Sequence, residues 1–350
     1  MKSELTAVTE REQWNSALEK HKVYDFYHTY GYHQLSKKKE EKAVLLAYDN
    51  IGVTIHLPLL IRPVPGQTNV YDATSVYGYP GPLCTGHSIS SETITSFKAS
   101  LLDFFRENNI VSVFSRLNPF IPNQEIVLQD LGDIEILGSV VNIDLTKDVE
   151  EQRTLFSKTT KRYINKVRKI CTTRISKEKE DILKFIELYY ENMDRVNADQ
   201  SYYFDYDYFF NFIHSPDFET DVIFAELKDT GKVISAAMMV KTNNIIQYHI
   251  SGTLNDYLEI TPIRLLIDTM RIRGTEQGYT FFNLGGGLGS QNDSLLRFKS
   301  SFSKDFRDFK VWKLIVDQTK YNQLTGPKAE KVNSLDNTFF PLYRYELTSK

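Results

Sequence analysis

The sequence predicts an α/β fold (of the α+β kind) arranged as two domains. Three observations lead there. At 350 residues the chain is long for a single hydrophobic core, so length alone points to about two domains. Apolar runs of strand type alternate with segments whose apolar residues recur at helical spacing. The order strand, strand, strand, helix, strand occurs once in each half, a duplication of element order and not of residue identity.

Residues 43–61, AVLLAYDNIGVTIHLPLLI, read as two strands around an Asp-Asn turn with Gly52 close behind. NVYDATSVYGYPGPL (69–83) reads as another strand, ended by Gly and Pro. In 92–109 the residues Ile94, Phe97, Leu101, Phe104 and Phe105 fall at helical spacing, and IVSVFSRL (110–117) returns to a strand. After the strand-like VVNIDL a linker is expected near 143–150, followed by one helical segment over 149–173. DVIFAEL (221–227), a DTG turn and VISAAMMVK (233–241) make a hairpin, and NIIQYHISGT (244–253) follows. A helix over 261–278 takes Thr261 as its cap and Pro262 in its first turn, where a missing N–H is harmless. YTFFNLGG (279–286) is a short strand, 293–302 a helix with Asp293 as its cap, and FRDFKVWKLIVD (306–317) a last strand. NQLTGPKAEKVNSLDN (322–337) is polar and turn-rich and reads as a loop before the aromatic FFPLYRY. The domains are expected at 1–148 and 149–318, followed by a tail over about 319–350.

Composition narrows the function classes. A net charge of −3 and a pI near 6.2 argue against a basic surface that coats nucleic acid, and no DNA partner is expected. Cys84 and Cys171 stand alone, without a CxxC or Cys/His cluster, so no metal site is expected and reducing cytoplasm is the natural location. The N-terminal MKSELTAVTEREQW has no apolar core of signal-peptide type, and no apolar run approaches the ~20 residues that span a bilayer. Aromatic residues are frequent, 21 Tyr and 22 Phe, which suits both ring-lined clefts and Tyr-rich sheets.

The stretch FFNLGGGLGSQNDSLLRFKSSFS (281–303) invites a nucleotide-loop reading, which fails on spacing. A dinucleotide fingerprint needs a third glycine where Ser290 stands, and a Walker loop needs a Lys after its last glycine. What remains is a strand-to-helix turn at positive φ, where glycine avoids the Cβ penalty.

That stretch, together with YGYPGP (77–82), SKTTKRYINKVRK (157–169) and YHISGT (248–253), resembles four motifs of the FemABX-like branch of the GNAT acyltransferase superfamily, in the order that family shows. The branch contains peptidoglycan bridge-forming aminoacyltransferases and related acyltransferases. The resemblance implies two GNAT-like domains in tandem, each a mixed β-sheet flanked by helices, with the 319–350 tail folding back onto the first. It implies a bacterial, cytoplasmic enzyme of cell-wall biogenesis that transfers an acyl or aminoacyl group by direct attack, with no covalent enzyme intermediate. The acceptor would be a diphosphate-linked sugar or muropeptide precursor, and a lipid-linked substrate would bring peripheral membrane contact. No sustained heptads mark the coiled-coil arm of the family's glycyltransferases.

The same resemblance implies the site. Lys299, following Phe298, matches a Phe-Lys pair at the catalytic centre, where a cation stabilises the oxyanion or neutralises donor phosphate. Tyr248 joins them by family position; its neighbour His249 points to the opposite face of the strand and reads more readily as packing. Arg162 and Lys166, with Tyr163, are the candidates for the acceptor diphosphate, because cations at 158, 162 and 166 share one helix face. A solvated charged face is the alternative. Tyr77 and Tyr79 would shape the acceptor pocket, and Gly285, Gly286 and Gly287 would wall the cleft. No permanent cofactor is expected, and the acyl donor is either aminoacyl-tRNA or acyl-CoA. The loop where a CoA pyrophosphate would sit, LNDYLEITPIR (254–264), lacks glycine and carries Asp256 and Glu259. An acetyl-CoA-dependent N- or O-acetyltransferase tailoring a polysaccharide sugar, and a non-catalytic precursor-binding protein, stay open as alternatives.

Overall fold

A computed structural model describes residues 4–50, 52–86, 89–333 and 339–345. Positions 87–88 of the loop at 79–92 and 334–337 of the expected C-terminal loop lie outside the described residues. The chain divides into two compact units, residues 1–137 with 309–350, and residues 138–308.

In chain order the elements are β1 (Glu4–Val8), α1 (Arg11–Glu19), α2 (Tyr30–Ser36), β2 (Lys42–Asn50), β3 (Val53–Pro63), β4 (Tyr71–Thr74), β5 (Leu83–Cys84), α3 (Ser91–Glu107), β6 (Ile110–Arg116), α4 (Gln124–Val127) and β7 (Asp133–Asp144). Then come α5 (Val149–Thr154), α6 (Lys158–Ile170), β8 (Cys171–Ile175), α7 (Lys179–Arg195), α8 (Tyr206–Ile213), β9 (Glu219–Leu227), β10 (Val233–Thr242), β11 (Ile245–Thr253), α9 (Ile263–Glu276), β12 (Phe281–Gly285), α10 (Ser294–Lys299), β13 (Asp305–Ile315) and α11 (Gln318–Asn333).

The two units repeat one topology. In the first, β2–β3 and β3–β4 pair antiparallel, α3 crosses over, and β4–β6 pair parallel. In the second, β9–β10 and β10–β11 pair antiparallel, α9 crosses over, and β11–β12 pair parallel. Each then gains an antiparallel neighbour from distant sequence, β13 beside β6 and β7 beside β12. The fold is therefore mixed α/β, with mixed sheets flanked by helices.

Local chemistry explains the helices. Ser90 caps α3 by accepting from the Thr93 amide, and the helix buries Thr93, Phe97, Leu101 and Phe105, one residue every four. In the second unit Leu265, Leu266, Ile267 and Met270 of α9 pack with Ile164 and Val167 of α6 on Ile223, Ala225, Ile246 and Phe282 of the sheet. Burying these apolar faces stabilises each helix by about 2 kcal/mol per large side chain. The polar pin between α9 and α6 is Asp268, fully buried, which pairs with Arg271 at 2.7 Å and Arg168 at 2.5 Å.

Four expectations need correction. The helix over 149–173 is interrupted, because extended Ser157 caps α6 by accepting from the Thr160 amide at 3.0 Å, and Cys171 starts a strand. The strand over 69–83 is regular at Tyr71–Thr74 and resumes only at Leu83, since the Gly- and Pro-rich stretch between them cannot continue a ladder. Thr261 does not cap α9; it sits in the left-handed region at φ +50, and the cap position falls on Pro262 with no side-chain bond. Most of the loop expected over 322–337 is helical as far as Asn333, where α11 is anchored by the buried Tyr321 and Thr325. Beyond it the chain is pinned inside the first unit: Tyr343 shares a 2.7 Å hydrogen bond with Ser112, and Arg344 pairs with the buried Asp72. Among the described residues no helix is long and apolar enough to cross a membrane, and no cluster of His, Cys, Asp and Glu is arranged to hold a metal ion.

Candidate active site in the second unit

The parallel strands β11 and β12 pair only from Ile245 to Gln247 and from Phe281 to Asn283, and then part. Two irregularities accompany the opening. On the β10 side Met239 faces Tyr248 while Met238 faces Ile250, so His249 is an extra residue in a β-bulge. On the β7 side the register slips between Asn283 and Gly285. Buried Asn283 holds both edges at the fork: its amide donates to Gln247 Oε1 at 2.8 Å, and its Oδ1 accepts from the Gly285 amide at 2.8 Å.

The glycine run turns the chain immediately after β12. Gly285 lies at φ +77, and a Cβ there would stand 3.0 Å from Lys299 Nζ. At Gly287 a Cβ would meet Gln291 O at 2.0 Å and Asp293 Oδ1 at 2.5 Å, so the turn closes only with glycine. Asp293 then caps α10 by accepting from the Leu296 amide at 2.9 Å, as expected, while its second oxygen accepts from Leu288. Those backbone amides, Leu296 first, hold its carboxyl below the usual range.

α10 delivers Lys299 back to the glycine turn. Its Nζ donates to Gly286 O at 2.7 Å and stands 6.0 Å from the centroid of the Tyr248 ring. The side chain is only 8% exposed and forms no ion pair among the described residues. Burial lowers its ammonium to about 8, partly offset by the charge of Asp293. Tyr248 shares a 2.6 Å hydrogen bond with Ser251, and burial pushes its phenol up to about 12. His249, on the other side of the strand, stacks on Phe212 at 5.0 Å, and burial lowers it to about 4, so it is neutral at physiological pH.

Phe298 and Tyr163 meet around a residue whose position sequence reasoning underrated. Arg264, in the first turn of α9, lies 4.7 Å from the Phe298 ring and 5.8 Å from that of Tyr163. It donates to Thr160 Oγ1 at 2.6 Å and Ser301 Oγ at 2.9 Å, and Ser301 in turn donates to Phe298 O. Arg264 also has no carboxylate partner among the described residues, and burial holds its guanidinium below the usual range. Nothing in the sequence joined Thr160, Ser301 and Arg264, because the three come from separate helices and turns. Arg162 stacks on Tyr163 at 5.4 Å, whereas Lys166 is exposed further along α6 without an ion pair among the described residues. At the entrance to α9, Asp256 and Glu259 are exposed.

Tyr77 and Tyr79 belong to the first unit. Tyr77 is 65% exposed, with the Arg116 guanidinium 5.6 Å from its ring. Tyr79 packs edge-on against Tyr27 and Phe309, and burial pushes its phenol well above the usual range.

No family profile matches this chain, and no curated protein matches it by sequence. Solved structures do match. The crystal structure of FemX superposes with a TM-score of 0.70 at 14% identity, over 91% of this chain and 99% of that one. A conserved protein of unknown function from Bacteroides thetaiotaomicron VPI-5482 follows with a TM-score of 0.56 at 12% identity, over 89% and 100%. The C-terminal DUF2156 domain of an Agrobacterium fabrum protein gives 0.54 at 12% identity, over 89% and 93%. Across nine-tenths of its length, this chain has the fold of FemX.

Proposed function

We propose that this chain is an acyltransferase that moves an acyl or aminoacyl group onto the amine, or a hydroxyl, of a cell-envelope precursor. The observation that carries this reading is Lys299, a buried cation with no ion pair among the described residues, held at a glycine turn where two parallel strands part. Desolvating a charge without pairing it is costly, and an anion that forms only during reaction would supply the missing partner.

In this mechanism the acceptor nitrogen attacks the carbonyl carbon of the donor ester or thioester, and negative charge collects on the carbonyl oxygen. Lys299 stabilises that oxygen. As the C–O or C–S bond breaks, its proton passes to the leaving group, and the proton lost by the acceptor amine restores it. A group with its pKa near 8 suits both transfers. Tyr248 and the Gly285–Gly287 turn border the reacting atoms, and the Arg264–Phe298 stack fixes the end of α10 that bears Lys299.

Arg162 and Lys166, with Tyr163, are assigned to the diphosphate of a sugar or muropeptide acceptor. The exposed Asp256 and Glu259 and the left-handed Thr261 weigh against a CoA pyrophosphate at α9. Aminoacyl-tRNA is therefore the donor to test first. The assay supplies labelled aminoacyl-tRNA and, separately, labelled acetyl-CoA, each with diphosphate-linked precursors. Transfer from aminoacyl-tRNA alone supports the reading. Transfer from acetyl-CoA alone replaces it with the acetyltransferase alternative, and precursor binding without transfer from either donor removes catalysis altogether.

A further inference from the structure

We infer that the solvent face of α6 is an electrostatic docking surface for an anionic lipid bilayer. α6 carries six cations and no acid in 13 residues. Two are committed within the protein: Lys161 donates to Thr154 O at 3.1 Å, and Arg168 pairs with Asp268. The other four, Lys158, Arg162, Lys166 and Lys169, are exposed, and none forms an ion pair among the described residues. At about 100° per residue these four cluster on the side of the helix opposite the buried Thr160, Ile164 and Val167.

A general excess of cations does not explain the stripe, because the chain is net −3. Arg174, only four residues past the end of α6, is by contrast held by both Asp181 and Glu226. The α6 stripe therefore concentrates positive charge against the sign of the whole molecule, and at long range it attracts a densely anionic surface most strongly.

Two features favour lipid over nucleic acid. Three of the four free cations are Lys, compact charges suited to a diffuse surface potential, whereas bidentate recognition of phosphates and base edges favours the planar guanidinium of Arg. Aliphatic side chains also stand exposed at both ends of the segment, Leu155 just before α6 and Ile170 at its last position, 37% and 40% accessible. Such residues enter the acyl boundary beneath headgroups that the cations neutralise.

Vesicle co-sedimentation tests this with the full chain. Vesicles of phosphatidylcholine with about 30% phosphatidylglycerol should bind it and pure phosphatidylcholine should not, and about 0.5 M salt should release it. Lys158→Gln with Lys169→Gln removes two cations outside the proposed catalytic and binding residues. It should weaken vesicle binding about 25-fold, roughly fivefold per charge. Ile170→Ser should weaken binding about tenfold. Circular dichroism melts check that each variant remains folded. Failure of the wild type to bind phosphatidylglycerol vesicles at low salt overturns the inference, as does undiminished binding by the double Gln variant. Binding of bulk tRNA that depends on Lys158 and Lys169, with no vesicle binding, overturns it in favour of a nucleic-acid surface.

Discussion

Replacing Lys299 by Met should stabilise the protein at neutral pH while abolishing transfer. The ammonium has a pKa of about 8 in the fold against 10.5 for an ordinary lysine, because burial disfavours its charged form. Between those values the unfolded chain binds more protons than the folded one, so stability rises with pH from about 8 to 10.5. Below about 8 both states are protonated and the full desolvation cost stands; above 10.5 both are neutral and it is gone. A depression of roughly 2.5 units corresponds to a cost of about 3 kcal/mol at pH 7. Met keeps the length and the apolar contacts but leaves Gly286 O without its 2.7 Å donor, a loss of about 1 kcal/mol. The Met variant should thus be about 2 kcal/mol more stable at pH 7, a gain of roughly 5 °C in melting temperature, and about 1 kcal/mol less stable above pH 10.5. Paired thermal melts from pH 7 to 11 measure this, since other titrations cancel in the difference. A difference that does not change with pH, or a Met variant already less stable at pH 7, would show that Lys299 is not a desolvated cation.

Other substitutions probe different parts of the argument. Gly285→Ala forces a Cβ into a backbone at φ +77 and against Lys299 Nζ, so it should cost about 1–2 kcal/mol of stability and lower turnover more than acceptor affinity. Equal turnover would detach the glycine turn from the chemistry. Arg162→Ala should weaken acceptor binding by about 1–3 kcal/mol, read by calorimetry with a diphosphate-linked precursor. An unchanged Kd returns that residue to a solvated face. Tyr343→Phe removes the hydroxyl that meets Ser112 at 2.7 Å and Asp72 at 3.2 Å, and should lower stability by about 1 kcal/mol without altering transfer kinetics. A kinetic effect would mean that the tail does more than pin the first unit.

What was legible in the sequence was whatever short-range pattern controls. The hairpin of β9 and β10 and the cap at Asp293 follow from alternation, turn residues and a side chain three positions from the amide it accepts. The repeated element order likewise became a repeated pairing pattern. Long-range partners were not legible. Ser157 breaks the expected helix partly because its amide reaches Ser301 O, 144 positions away in numbering yet 2.9 Å away in space. Arg264 read as a flank of a phosphate loop because its hydroxyl and ring partners come from α6 and from the end of α10. The bulge at His249 was invisible for a similar reason, since it exists only relative to the register of β10. Strand periodicity nevertheless assigned Tyr248 and His249 to opposite faces, because only those two adjacent positions mattered.

The duplication offers an internal control on which polar groups are structural. After β6 the first unit closes its turn with Asn118, buried and fully engaged. Its side chain donates to Asp25 at 3.1 Å and to Tyr79 O at 2.8 Å and accepts from the Phe120 amide at 2.9 Å, while its carbonyl accepts from Gln124. Each polar atom of that side chain has a partner, which is what a buried polar network requires to rigidify a fold. After β12 the corresponding turn of the second unit holds three glycines and a buried ammonium bonded to one carbonyl, and Arg264 likewise has no carboxylate partner among the described residues. A fold that can satisfy this position with an amide network in one half, and leaves a cation unpaired in the other, is not constrained to do so by its topology. On the proposed mechanism the cation's missing partner is the oxyanion or phosphate of a substrate, which is the chemistry that a desolvated ammonium accepts.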